Sequence, residues 1–190
     1  MKYLNKKKEK IKFYKYTAYG NDYIVIDPNK NRFEVDKNII EKICNRNFGI
    51  GSDGILLGPI FDKNKNKSDI FLRIFNSDGS EAEKSGNGIR IFSQYLADYG
   101  YIKGKFKKKN EIEINTKGGL VKSCFNDDGY ISINMGKIEF IKEDIEIEAI
   151  SENNDEVRVF KGCFLSIGNP HFVIIQDKID EIVAKKYGKL

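Results

Sequence analysis

Short apolar runs rich in β-branched and aromatic residues recur along the whole chain. They fall at 11–17, "YIVID" (23–27), "ILLG" (55–58), "IFLRIF" (70–75), "IEINT" (112–116), "YISINM" (130–135), "CFLSIG" (163–168) and "FVIIQD" (172–177). Runs this short, bounded by Gly, Asn and Asp, suit strands. Helical spacing appears in two places. "KNIIEKICNRNF" (37–48) has apolar residues at 39, 40 and 44, and "GIRIFSQYLADYG" (88–100) places Ile89, Phe92, Leu96 and Tyr99 on one face, with Gly100 suited to a C-cap. The charged stretch 139–159, around "ISENNDEVR", reads as hairpin and loop. Strands with a few inserted helices predict an α+β fold of largely antiparallel or mixed sheet.

At 190 residues the chain can bury a sizeable core, as one large domain or two small ones. No apolar run approaches the roughly 20 residues of a membrane helix, and the Lys-rich start leads into no signal-peptide segment, so a cytoplasmic location is expected. Three widely spaced cysteines, Cys44, Cys124 and Cys163, suggest neither a disulfide framework nor a zinc set. With His171 as the single histidine, a metal site has little to draw on. The net charge of +5 comes mostly from the lysine runs "KKKEK" and "KGKFKKKN". Neither has the aromatic interleaving or recognition helix of a nucleic-acid binder, so both read as solvated segments.

Two segments repeat one pattern: "KYTAYGNDYIVID" (15–27) and "FLSIGNPHFVIIQD" (164–177) each run strand, Gly-Asn, aromatic, then a buried strand ending in Asp. A duplication would place the counterpart of "SGNG" (85–88) beyond Leu190, leaving one complete half and the opening of a second. "GIGSDG" (49–54) matches G-x-G-x-x-G by letter, but dinucleotide binding needs a strand before the glycines and a helix after them. The order here is reversed. Its glycines are expected to serve a tight connection of positive φ near a site.

"SGNGIR" is the segment with chemistry in it. A helix beginning at Asn87 or Gly88 leaves the amides of Gly86, Asn87 and Gly88 without helical partners, with the positive end of the helix dipole behind them. Such a start receives a carboxylate with no charged side chain. The bland alternative is an ordinary helix capped by Asn87. Asn21 and Asn76 could add amide hydrogen bonds, although "NSDG" (76–79) is equally a β-turn. Ser85 as a nucleophile needs a base held by a third group, and His171, in a turn before a strand, is better suited to packing or hydrogen bonding. Glu81 and Glu83, at alternate positions, face opposite ways in an extended chain and form no dyad.

"KYTAYGNDYIVID", "NRNFGIGSDGILL", "RIFNSDGSEAEKSGNGIR" and "SIGNPHFVI", in this order, resemble the diaminopimelate epimerase family from about residue 12 onward, behind a Lys-rich extension, 1–11. The resemblance implies two pseudo-symmetric domains of mixed or antiparallel sheet around a central helix, here 1–118 and an incomplete 119–190. It implies a cofactor-independent isomerase, without pyridoxal phosphate, that interconverts LL- and meso-diaminopimelate. One cysteine removes the α-proton as thiolate and a second, on the other domain, returns a proton to the opposite face. A thiol of pKa about 8.5, lowered at a helix start, suits either role. Carbanion charge spreading into the carboxylate meets the helix-start amides.

This chain departs from that pattern in two ways. Ser85 stands where the family has its first cysteine, and a serine hydroxyl is far too weak an acid to alternate with its anion. The chain also stops before the region of the second cysteine. Impaired or absent catalysis by the chain alone is expected. The substrate contacts implied are Asn21, Asn76, Gly86, Asn87 and Asn169, with no cofactor and no metal. The expected partner is a small amino acid, with no nucleic acid, no membrane and a possible homodimer. Racemisation of another amino acid, such as histidine, on the same scaffold and non-catalytic amino-acid binding stay open as alternatives.

Overall fold

The computed structural model describes residues 10–61, 69–102, 110–151, 156–178 and 180–188. The lysine runs read as solvated segments lie almost wholly outside these residues. The elements, in chain order, are β1 (Phe13–Ala18), β2 (Asn21–Ile26), α1 (Lys37–Cys44), β3 (Gly54–Ile60), β4 (Ile70–Asn76), β5 (Glu81–Ala82), α2 (Gly86–Asp98), β6 (Glu111–Thr116), β7 (Gly119–Phe125), β8 (Ile131–Asn134), β9 (Glu139–Ile150), β10 (Val157–Ser166), β11 (Pro170–Val173) and α3 (Glu181–Tyr187). The fold is α+β. Among the described residues no helix is long and apolar enough to cross a membrane.

Two compact units divide after Met135. On either side of the expected boundary at 118/119, β6 pairs antiparallel with β7 across a tight turn and β7 pairs with β8, so both β7 and β8 extend the first sheet. That sheet runs β1-β2-β3-β4-β6-β7-β8, with β5 on β4. The β2–β3 and β4–β6 pairings are parallel and the others antiparallel. Helix α2 packs on β1 and β2 at one end of this order and on β7 and β8 at the other, so the sheet curls around it.

The curl explains why the strand runs look continuously apolar. On β2, Tyr23 and Val25 face the α2 core while Ile24 and Ile26 face a second core built with Ile40 and Cys44 of α1. On β3, Leu56 faces α2 while Ile55 and Leu57 face α1. With both faces covered, the period-2 alternation separates two cores and leaves no polar side. From α2, Ile89, Phe92, Tyr95 and Leu96 fill the inner core.

Two polar contacts register β2 along α2. Near the helix start, Tyr23 Oη lies 3.2 Å from Ser85 Oγ. Farther on, the fully buried Asp27 accepts from Tyr95 Oη at 2.7 Å, from Tyr101 Oη, and from Asn29 N and Nδ2 at 2.8 and 2.9 Å. From 23 to 27 a strand rises about 13 Å and from 85 to 95 a helix about 15 Å, so the two anchors fit elements lying side by side. Burial opposes the charge on Asp27, but hydrogen bonds from Tyr101, Tyr95 and Asn29 outweigh it and hold the carboxyl below the usual range. Burial, with this carboxylate alongside, pushes the Tyr95 and Tyr101 phenols up. Lys30 Nζ balances the charge 3.5 Å away and lies 4.4 Å from the ring centre of Tyr99 and 5.3 Å from those of Tyr14, Tyr95 and Tyr101.

In the second unit β9, β10 and β11 form an antiparallel sheet in the order β11-β10-β9. Tyr187 and Val183 of α3 pack with Ala149, Phe160 and Ile147. The two repeated segments are both antiparallel hairpins with Gly-Asn at the turn, Gly20 at φ +86° and Gly168 at φ +110°.

Candidate functional site

Three strand ends and one helix start meet at one end of the first sheet. Tyr23 pairs with Gly54 and Gly54 with Asn76, so β2, β3 and β4 present Asn21, Asp53 and Asn76 at neighbouring positions. Gly54 has to be glycine here. A Cβ would lie 2.2 Å from the Phe75 carbonyl oxygen and 2.9 Å from Cε1 of Tyr23. The bare backbone makes room for the Tyr23 ring, whose hydroxyl reaches the start of α2.

That helix starts at Gly86, one residue earlier than expected, and its N-cap is Ser85 instead of Asn87. Extended backbone at Ser85 (φ −147°, ψ 114°) lets its Oγ accept from Gly88 N at 3.1 Å, while its carbonyl accepts from Ile89 N at 2.8 Å. This is ordinary serine capping. It removes Gly88 from the set of open amides, so Gly86 and Asn87 alone keep backbone N–H groups without partners among the described residues. The first turn holds no acidic side chain to offset the helix dipole. The volume in front is open: a Cβ on Gly86 would have only Arg90 Nη1, at 4.0 Å, within reach.

A chain of side-chain hydrogen bonds holds the two asparagines beside this start. Asn87 Nδ2 donates to Asn21 Oδ1 at 2.8 Å, Asn21 Nδ2 donates to Asp53 Oδ2 at 3.2 Å, and Arg90 Nη1 donates to Asn87 Oδ1 at 2.9 Å. Each carboxamide oxygen already accepts one hydrogen bond and each nitrogen keeps one N–H to spare, so the pair offers two donors to a ligand. Arg46 anchors the far end, 2.7 Å from both Asp22 Oδ1 and Asp53 Oδ1, and Lys15 Nζ lies 3.0 Å from Asp22 Oδ2. The Arg46 hydrogen bond, with Lys15 assisting against some burial, holds the Asp22 carboxyl well below the usual range. The hairpin turn before Asn21 takes Tyr19 and Gly20 through positive φ, 50° and 86°.

The "GIGSDG" loop supports this arrangement and binds nothing through its amides. The N–H groups of Gly49, Ile50, Gly51 and Ser52 donate to carbonyls of Asn45, Ile43, Ile43 and Cys44 at the end of α1, which leaves none for a phosphate. Gly51 has φ +76°, and a Cβ on Gly49 would sit 2.0 Å from the Lys42 carbonyl oxygen. The close wrap around α1 delivers Asp53 to Asn21.

Asn76 lies at the same sheet end but spends itself on its own turn. Its Nδ2 donates to Ser80 Oγ at 2.9 Å, and its backbone N–H to the Ser80 carbonyl at 2.9 Å. Interstrand spacing of about 4.8 Å puts it about 10 Å from Tyr23, outside the asparagine chain. Asn169 belongs to the second unit, where its side-chain Oδ1 is buried without a partner among the described residues and its carbonyl lies 2.9 Å from His171 Nδ1. Glu81 is held by Arg73 at 2.8 and 2.9 Å, and this ion pair keeps its carboxyl below the usual range. Cys44 is buried, which pushes its thiol up, and accepts from Ser52 Oγ at 3.3 Å.

Tyr23, Asp53, Arg46 and Arg90 are the members that reading by sequence did not single out. Arg90 was within reach of it, since a residue three after Asn87 lies on the same helix face. Tyr23 was not, because a tyrosine in an apolar strand run looks like core. Lys84 is another: buried, it donates to the Met135 carbonyl at 3.0 Å and fixes the approach to Ser85.

The diaminopimelate epimerase family model matches residues 13–141. Diaminopimelate epimerase 2 of Nostoc sp. is 46% identical, covering 95% of this chain and 63% of the relative. Diaminopimelate epimerases of Carboxydothermus hydrogenoformans and Prochlorococcus marinus are 36% and 37% identical, covering 95% and 93% of this chain and 65% and 64% of theirs. The chain thus spans somewhat less than two thirds of the length of these relatives. Among solved structures, a probable proline racemase from Agrobacterium radiobacter with bound carbonate superposes with a TM-score of 0.64 at 13% identity, over 87% of this chain and 52% of that one. A hydroxyproline epimerase from Agrobacterium vitis with bound trans-4-hydroxy-L-proline gives 0.58 at 14% identity, over 82% and 48%. These two share the fold. On the family match over most of its length, the chain belongs to the diaminopimelate epimerase family.

Proposed function

We propose that this chain carries the first half-site of a diaminopimelate epimerase, an isomerase working without a cofactor at the α-carbon of LL- and meso-diaminopimelate. The observation that carries the reading is the start of α2. Two outward amides, Gly86 and Asn87, stand next to a serine-capped turn and a pair of asparagine donors, with open volume in front. A substrate carboxylate accepts from those amides, and the α-carbon then lies toward position 85. As negative charge develops on the α-carbon it delocalises into the carboxylate, where fixed donors stabilise it without reorganising. Arg46, Asp53 and Arg90 keep the asparagines in place. By the family resemblance Asn76, now held in its own turn by Ser80, and Asn169 are further substrate contacts. The partner is a small amino acid, the compartment the cytoplasm, and a homodimer the assembly that the resemblance suggests.

Ser85 favours a second reading. A hydroxyl serving as helix cap, with no carboxylate or imidazole among its contacts in the described residues, makes no general base at neutral pH. The site as it stands fits binding of an amino acid better than two-sided proton exchange. The experiment that separates the readings is incorporation of deuterium from D₂O into LL- and meso-diaminopimelate, followed by NMR, for the protein and for Ser85→Cys. Slow or one-sided exchange with serine and faster exchange with cysteine support the epimerase half-site. Equal rates remove position 85 from the mechanism. No exchange by a folded Ser85→Cys protein that carries both domains in full directs the search to other amino acids, histidine and glutamate first.

A further inference from the structure

Ser85 Oγ has two neighbours, Gly88 N at 3.1 Å and Tyr23 Oη at 3.2 Å. A hydroxyl carries one hydrogen and two acceptor lone pairs, so the direction of the second contact decides what remains for a ligand. Three considerations set that direction. A phenol is the stronger acid and donor, with its oxygen lone pair partly drawn into the ring, whereas the alkyl hydroxyl of serine is the better acceptor. Tyr23 is 7% exposed, and its hydroxyl has no other acceptor among the described residues. Donation from Ser85 to Tyr23 would therefore strand a phenolic hydrogen in a nearly buried place, which costs more than the contact returns.

We propose that Tyr23 donates to Ser85, so that both lone pairs of Ser85 Oγ are engaged and its hydrogen is the one function left for a ligand in front of α2. Tyr23 is then a positioning residue. It makes position 85 a donor that cannot accept a proton, and it is locked in that role by the absence of a side chain at Gly54. With a cysteine at position 85 the same phenolic hydrogen falls on sulfur and stabilises the thiolate. The importance of this contact for catalysis rests on the reading that position 85 faces the substrate α-carbon, but the contact itself does not.

The test needs no substrate. In the Ser85→Cys protein, with and without Tyr23→Phe, the rate of iodoacetamide alkylation at position 85 is measured against pH. Mass spectrometry of the peptide carrying that position keeps Cys44, Cys124 and Cys163 out of the signal. Loss of one hydrogen bond to the charged sulfur should raise the midpoint by about one pH unit, a roughly tenfold fall in thiolate fraction near neutrality. An unchanged midpoint in a folded Tyr23→Phe protein overturns the proposal. Should that variant not fold, 3-fluorotyrosine at position 23, a stronger donor of nearly the same shape, must lower the midpoint, and no shift overturns the proposal equally. A full shift with no deuterium exchange into diaminopimelate by a protein that carries both domains in full refutes the epimerase reading alone. Exchange with no shift refutes the role of Tyr23 alone.

Discussion

Gly86→Ala should strengthen α2 and weaken the site at the same time. Gly86 is the first residue of the helix, its φ lies outside the left-handed region, and the nearest atom to a new Cβ is Arg90 Nη1 at 4.0 Å. The methyl therefore meets no protein atom that has to move. Alanine is favoured over glycine in helices by about 0.5–1 kcal/mol, chiefly because the unfolded chain loses freedom. For a chain of this size that corresponds to a rise of about 1–4 °C in Tm. The same methyl occupies the volume through which a carboxylate approaches the Gly86 and Asn87 amides. Losing one hydrogen bond to a charged group costs about 1.5–3 kcal/mol, or roughly 10- to 150-fold in affinity. Differential scanning calorimetry reads the first effect and isothermal titration with meso-diaminopimelate the second. Alanine is chosen over valine because β-branching brings a helix cost of its own. A raised Tm with unchanged affinity would refute the carboxylate site, since the blocked space would then be one the ligand never enters. A lowered Tm would refute the open geometry at the helix start.

Two further perturbations test what holds the site. Ser85→Ala removes the cap from Gly88 N and should cost about 1 kcal/mol, seen as a fall of about 2–4 °C in Tm; an unchanged Tm would mean that the turn closes without the side chain. Asp27→Asn sets a carboxamide against two phenolic donors and leaves Lys30 without its carboxylate, and urea denaturation at pH 7 should show a loss of about 3–5 kcal/mol. Because the folded-state pKa of Asp27 is depressed, its contribution is complete above the ordinary carboxylate value and is lost as pH falls through the folded value. The gap in stability between the protein and Asp27→Asn should therefore shrink on acidification below about pH 4. A gap that stayed constant or widened there would contradict the assignment of Asp27 as a buried carboxylate.

What the sequence determined by itself is local. β-branched runs bounded by glycine and asparagine turns were enough for β1, β2, β3, β4, β6 and β8, and three- and four-residue spacing for α2, because these signals act between near neighbours. Glycine at 51 was readable as a demand for positive φ. Other local signals were masked. On β7, "GLVKSCF" interrupts its apolar residues with Lys122 and Ser123, and β9, "EFIKEDIEIEAI", is largely exposed, so neither shows the contrast that burial writes into a strand. Helix α1 stops at Cys44, short of the expected 48, because the Asn45 side chain captures the amides of Asn47 and Phe48 and turns the chain. The site itself was decided by tertiary structure. Asn21 meets Asn87, Tyr23 meets Ser85 and Asp27 meets Tyr95 across more than sixty residues, and each meeting depends on strand register and on how far the sheet curls around α2. A one-residue slip of β2 would send Tyr23 to the α1 face and leave Ser85 with Gly88 alone. No local pattern encodes that choice, which is settled by which face of each strand finds enough apolar surface to cover it.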